Sequence, residues 1–177
     1  MKTLVLLFHP NITQSRVNKA FIQKLEEQKN SDITIRDEYA IYPDGKIDVK
    51  AEQQLMEKHD KVIFQFPMYW YSSPSLLKEW EDQVLEYGWA YGSSGNKLKG
   101  KQLTLAVTTG AVSENYLKTG QFGHTIDEIL SPFKSTSKLI GTNYTTPFIT
   151  HGVAKHLSDS ELQSRSEEFV SFVNKGE

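Results

Sequence analysis

Val62-Ile63-Phe64-Gln65-Phe66-Pro67-Met68-Tyr69-Trp70-Tyr71-Ser72-Ser73-Pro74 is an apolar run that opens into three adjacent aromatic rings with prolines on either side. The stretch from Lys61 to Phe66 has the length of a buried strand. Nothing in a core requires Tyr-Trp-Tyr where such a strand ends, so the segment reads as a strand that delivers a floor for a flat ring, although Trp70 and Tyr71 could instead anchor the helix that follows. After Pro74 a helix is predicted from about Ser75 to Leu85, because Leu76, Leu77, Trp80 and Val84 share one helical face. Trp80 reads as core; Trp89 and Tyr91, in the Gly-rich loop beyond, are read as lining either a pocket or a subunit contact.

Upstream, Thr3 to Phe8 is a continuous apolar run, as expected of a strand covered on both faces. His9 to Thr13 is a polar loop. Val17, Ala20, Phe21 and Leu25 then mark one face of a helix whose start Thr13 or Ser15 can cap. Ile33 and Ile35 alternate with Thr34 and Arg36, which predicts a more exposed strand, Tyr42 to Gly45 is a turn by composition, and Ala51 to Lys58 is a short helix. Downstream, a strand is predicted over Gln102 to Val107, a helical stretch around Thr125 to Leu130 limited by Pro132, and weaker strands over Ser137 to Thr142 and Pro147 to Thr150. Ser158-Asp159-Ser160-Glu161 is a capping box ahead of a last helix that buries Leu162, Phe169, Val170 and Val173.

Strands alternating with helices imply a parallel sheet with helices on both faces. The expectation is an α/β, flavodoxin-like chain: a five-stranded parallel sheet in a three-layer α/β/α sandwich, as a single domain over residues 1–177. In such sheets ligands lie beyond the carboxyl ends of the strands. Three loops fall there: His9 to Ser15, Pro67 to Tyr71 and Thr108 to Tyr116.

Composition narrows the chemistry. With 20 Lys and Arg against 22 Asp and Glu, the net charge of -2 offers no field for nucleic acid. The chain has no cysteine, which removes thiol catalysis and thiolate metal sites, and redox chemistry would have to come from a bound cofactor. No His, Asp and Glu group has metal-ligand spacing. The apolar run at the amino terminus is too short to cross a bilayer, and a cytoplasmic location is expected.

A helix start after a strand offers unpaired amides and a partial positive charge to a phosphate. His9, Asn11, Thr13, Ser15, Arg16, Val17 and Asn18 occupy that place, although plain capping would use the same Ser and Thr. There is no G-x-x-x-x-G-K-[ST] and no G-x-G-x-x-G. Thr108-Thr109-Gly110-Ala111 sets a residue without a side chain where backbone could approach a ligand, although a plain strand-to-loop turn reads the same way. His59 and His156 read as solvated, and His151 as either near a pocket mouth or held structurally.

Pro67 to Tyr71, with the continuation Leu76-Leu77-Lys78-Glu79-Trp80 to Gly88-Trp89-Ala90-Tyr91-Gly92, resembles the flavin-dependent NAD(P)H:quinone oxidoreductases. Within that family the chain is most similar to a small bacterial branch that includes the flavoprotein ancillary to glutathione-gated potassium efflux. The resemblance implies FMN, or alternatively FAD, with NADPH or NADH as electron donor. Hydride would pass to the flavin and then, in ping-pong order, as two electrons to a quinone-like acceptor. It further implies that His9, Thr13, Ser15, Arg16, Val17 and Asn18 hold the phosphate, that Pro67, Met68, Tyr69, Trp70 and Tyr71 shape the ring wall, and that Thr108, Thr109, Gly110 and Ala111 meet the ring's charged edge. Tyr116 stands at the spacing of the family's catalytic tyrosine. The histidine that follows it in animal relatives is replaced by Phe122, with His124 two residues on, so no histidine role transfers. A homodimer and a membrane transporter as partner are implied in the same way. A flavodoxin-type electron carrier and a regulatory flavoprotein subunit stay open as alternatives.

Overall fold

The computed structural model describes residues 1–155 and 157–175. Its centre is a parallel sheet of β1 (Thr3–Leu7), β2 (Ile33–Asp37), β3 (Lys61–Pro67), β4 (Gln102–Thr108), β5 (Asn143–Tyr144) and β6 (Phe148–Thr150), in the order β2-β1-β3-β4-β5 with β6 also on β4. β5 and β6 share one edge, so six short runs fill five positions. β5 pairs with Gln102 and Leu103, and β6 with Ala106 to Thr108. Between them Pro147 has no amide to offer the ladder. The Thr104 hydroxyl bridges the break, lying 3.2 Å from the carbonyl of Thr145 and 3.3 Å from that of Thr146.

Alternate strand residues feed two cores. Leu4, Leu6, Phe8, Phe64, Phe66, Leu105 and Val107 bury one face against α3 (Val49–Glu57), α4 (Ser75–Val84) and α6 (Ser131–Ile140). Val5, Leu7, Ile63 and Ala106 bury the other against α1 (Arg16–Glu26) and α7 (Asp159–Asn174). Both faces being covered is why these strands read as continuous apolar runs. Trp80 is fully buried and edges against Phe8 and Phe64. Among the described residues no helix is long and apolar enough to cross a membrane.

Three expectations need correction. Ser137 to Ile140 is the end of α6, closed by Gly141 in the left-handed conformation at φ 75°, and not a strand. Phe133, Ser137 and Ile140 share the helix's buried face, a spacing that the short apolar window Leu139-Ile140 conceals. The helical stretch before it is the four-residue α5 (Ile126–Ile129), capped by Thr125 and Glu128. Pro132 lies in the first turn of α6, where a missing amide loses no hydrogen bond, so it starts that helix instead of limiting α5. A short α2 (Glu38–Ile41), capped by Asp37, carries no signal in the periodicity. His59 is also not solvated: it is 6% exposed, with Nδ1 2.8 Å from the Leu55 carbonyl oxygen and Nε2 2.8 Å from Thr34 Oγ1. His156 lies outside the described residues.

Candidate functional site

The site is a rim at the carboxyl ends of β1, β3 and β4, which are neighbours in the sheet. Phe8 N–H donates to the Gln65 carbonyl at 2.8 Å and Met68 N–H to the Thr108 carbonyl at 2.8 Å, so the first loop is held to the second and the second to the third. Beneath them Asn18 donates to Thr108 Oγ1 at 3.0 Å, while Gln65 Nε2 reaches both oxygens of Asn18 at 3.4 Å. Asn18, Thr108 and Gln65 are all buried. The side chains of Asn18 and Thr108 therefore position the rim and do not face out of it. Gln65, which composition does not single out, is the third member of that buried cluster.

In the first loop, Ser15 caps α1 by accepting from Asn18 N–H at 3.2 Å. Thr13 does not cap; its hydroxyl donates to Asn11 Oδ1 at 2.7 Å within a 3-10 turn over Ile12–Gln14. His9 Nδ1 accepts from Asn11 N–H at 3.1 Å, and burial holds this imidazole below its ordinary pKa against the pull of Asp37. Val17 is core, leaving only its backbone to the rim. Arg16 turns away to α7, where its guanidinium pairs with Asp159 at 2.7 Å and also donates to the Leu157 carbonyl. The loop thus offers the first turn of a helix with a partly compensated positive charge beside it.

In the second loop, Tyr69 and Ser72 exchange backbone hydrogen bonds of 3.0 and 2.9 Å, closing a two-residue turn over Trp70 and Tyr71. Both have positive φ, 50° and 61°. Such primed turns favour Asn and Gly, and a bulky residue in a sparsely populated backbone region costs about 1–3 kcal/mol. The geometry holds Trp70 93% exposed, with Tyr69 and Tyr71 near half. No acceptor for the amides of Trp70 and Tyr71 exists among the described residues. Trp89 and Tyr91 are elsewhere: Trp89 Nε1 donates to Glu57 Oε1 at 2.7 Å, at the opposite edge of the sheet where β3 begins.

The third loop is braced by the segment after β6. Thr109 N–H donates to Thr150 O at 2.9 Å, Gly152 N–H to Ala111 O at 2.8 Å and Val153 N–H to Thr109 O at 3.1 Å. The amides of Gly110 and Ala111 again have no acceptor among the described residues. A Cβ on Gly110 would meet only Ala154 Cβ at 3.8 Å, so the protein's own packing does not demand glycine there. Tyr116 ends a 3-10 turn (Ser113–Tyr116), 7% exposed, its hydroxyl 3.8 Å from Met68 Sδ, and burial raises its pKa. Rings then run across the rim: Tyr71 to Phe122 at 5.1 Å, Phe122 to Tyr116 at 5.0 Å, Tyr116 to His151 at 5.1 Å. Beside them a cleft of about 450 Å³ is lined by Tyr71, Gln121, Phe122, His124 and Ile129.

The rim therefore joins a helix start, exposed aromatic faces and four open amides, a donor set that suits a planar heterocycle with an anionic tail. No cluster of three or more His, Cys, Asp or Glu that could hold a metal occurs among the described residues.

Comparison with known proteins points the same way. The family described as having a flavodoxin-like fold matches residues 1–172. YrkL, an uncharacterized NAD(P)H oxidoreductase of Bacillus subtilis (strain 168), is 46% identical over 173 residues, 98% of each chain. KefG of Cronobacter sakazakii, a glutathione-regulated potassium-efflux system ancillary protein, is 39% identical over 172 residues, 97% of this chain and 92% of its own. Among solved structures, general stress protein 14 of Treponema denticola in complex with FMN superposes with a TM-score of 0.91 at 41% identity, covering 98% of both chains. This chain belongs to the flavodoxin-like fold family, among whose members are proteins named NAD(P)H oxidoreductases.

Proposed function

We propose that this chain is an NAD(P)H-dependent flavin oxidoreductase that holds FMN in the rim and reduces a quinone-like acceptor by two electrons in ping-pong order. The observation that carries this reading is the convergence at one sheet edge of open amides on two loops, exposed aromatic faces and a helix start. When bound, FMN would supply hydride acceptance from NADPH or NADH and its return to the acceptor. The first turn of α1, with His9, Thr13, Ser15 and the backbone of Val17 and Asn18, would hold the phosphate, and Arg16, paired with Asp159, would add partly compensated charge beside it. Pro67 to Tyr71 would form the ring wall. The amides of Gly110 and Ala111, set by Thr108 and Thr109, would meet the edge where negative charge builds, and fixed donors favour that charged state over the neutral one. Tyr116 would hold or move a proton at its hydroxyl. FMN is preferred to FAD because the similar Treponema protein, 41% identical, is described with FMN. We place the protein in the cytoplasm and infer a homodimer.

The test is the visible spectrum of the purified protein, followed by NADH and NADPH oxidation with and without a quinone. A yellow protein that either nicotinamide bleaches and a quinone restores is expected. A yellow protein that stays oxidised under both would leave the electron carrier instead. The likeness to KefG favours a second role, docking on a potassium-efflux transporter as its regulatory flavoprotein, and the two roles are compatible. Co-purification with such a transporter would be lost on replacing the surface that docks.

A further inference from the structure

Two-electron reduction of a quinone-like acceptor needs two protons, of which hydride brings one. The second must reach the acceptor from solvent through the protein. Tyr116 cannot store it, since burial raises its phenol pKa and keeps it neutral. Phe122 occupies the position where a partner histidine would follow, and His124 lies in the cleft with Tyr71 and Gln121. The imidazole that does lie against the Tyr116 ring arrives from the segment after β6.

Resting on the proposed function, we propose that His151 is a positioning residue that relays this second proton through Thr109 to Tyr116, touching no reacting atom itself. His151 Nδ1 is 2.9 Å from Thr109 Oγ1, and its ring is tilted 34° against that of Tyr116. Thr109 directs its single hydroxyl proton to the Ala111 carbonyl at 2.9 Å. Nδ1 is then the donor to Thr109, and Nε2 carries the lone pair. The Tyr116 ring lies 5.1 Å from that of His151 between centroids, and hydrogen bonding from Thr109 lowers the phenol's pKa against the larger effect of burial.

A proton added at Nε2 from solvent, one passed from Nδ1 to Thr109, one from Thr109 to Tyr116 and one from Tyr116 to the acceptor move a single proton inward. His151 ends neutral as the Nε2–H tautomer and is returned to Nδ1–H by proton exchange with solvent before the next turnover, and the reaction balances as NAD(P)H plus H⁺ plus acceptor giving NAD(P)⁺ plus the doubly protonated reduced acceptor. Solvent reaches His151 through an open cavity of about 390 Å³ that it lines with Thr150, Arg165, Glu161 and Glu168.

The charges around His151 set when it fills. Burial and Arg165 of α7 hold its pKa below the ordinary value, while Glu114, in the turn that carries Tyr116, pulls the other way. Glu161 and Glu168 of α7 line the cavity mouth, and Lys155 follows the bracing segment. Arg165 is fixed: its Nε donates to Thr150 Oγ1 at 3.1 Å and its guanidinium carbon lies 3.8 Å over the Phe148 ring. The resting imidazole is therefore neutral, and negative charge arriving beside the Gly110 and Ala111 amides favours its protonation.

Nitrogen-15 NMR of the flavin-free wild-type protein should find His151 as the neutral Nδ1–H tautomer, titrating below free imidazole, with that preference lost in Thr109→Val. With flavin bound, His151→Asn retains an amide donor to Thr109 and cannot titrate. It should lower kcat about tenfold with little change in the acceptor KM, and remove the acid-side inflection from the pH profile. An Nε2–H tautomer in the wild type, or an Asn variant with wild-type kcat and pH profile, would overturn the inference. A wild type that oxidises neither nicotinamide would instead overturn the parent function. Should the Asn variant fail to fold, the tautomer measurement decides.

Discussion

The two halves of the sheet's carboxyl edge treat polar groups in opposite ways. Below the end of β2, Glu52 is fully buried and accepts from Tyr42 OH at 2.7 Å, from Trp80 Nε1 at 3.1 Å and from Arg36 at 2.5 Å. Arg36 also pairs with the fully buried Glu38 at 3.3 Å. Nearly every donor there is consumed internally. At the ends of β3 and β4 the reverse holds, with aromatic rings in solvent, a strained turn and amides that have no acceptor among the described residues. One half uses its polar groups within the fold, and the other leaves them open to the binding we propose.

If that contrast is right, substitutions in the sealed half should damage stability and those in the rim should damage function. The largest effect should come from Glu52→Ala, which leaves Trp80 Nε1 and Tyr42 OH without their acceptor and Arg36 with Glu38 alone; urea unfolding should read a loss of about 3–5 kcal/mol. A loss under about 1 kcal/mol would show that the buried network has little net worth. Next is pH. Burial first, and Glu52 second, push Glu38 up to about 7 from 4.5. Between those values the folded chain keeps a proton that the unfolded chain has released. On account of Glu38, stability should therefore fall as pH rises from about 4.5 to about 7, by at most about 3 kcal/mol, and level off above. Urea midpoints at pH 5 and pH 8 measure it, and Glu38→Gln should reduce the difference, leaving the part carried by Glu81, which burial also raises to about 7.

In the rim, Tyr116→Phe should slow quinone turnover roughly 100-fold while flavin stays bound and the unfolding midpoint hardly moves. Rates unchanged in stopped-flow assays would remove its proton role. The smallest stability effect is expected from Trp70→Gly. Relief of the positive φ and the added freedom of the unfolded chain oppose each other, so stability should change by under about 1 kcal/mol. Flavin affinity, measured by fluorescence titration, should fall all the same.

Much of this was readable in the residues. Continuous apolar runs gave β1, β3 and β4, and the Ser158 to Glu161 box gave the start of α7, because burial on both faces and capping each leave a local signature. The end of α6 is hidden in the sequence because Leu139, 65% exposed, makes a buried-looking pair with Ile140. In the rim, residue types pointed to three loops, but the tertiary side of the site left no trace. Asn18 and Thr108 are joined by a hydrogen bond across 90 positions, and His151 meets Thr109 across 42. Arg16 looked available to an anion, and only the fold brings Asp159 to it.

The most direct test is to titrate FMN into flavin-free protein and follow backbone amide resonances. The amides of Trp70, Tyr71, Gly110 and Ala111 and those of the first turn of α1 should all shift, along one binding curve. Shifts confined to one loop, or none at a saturating concentration of FMN, would contradict a shared site at the rim.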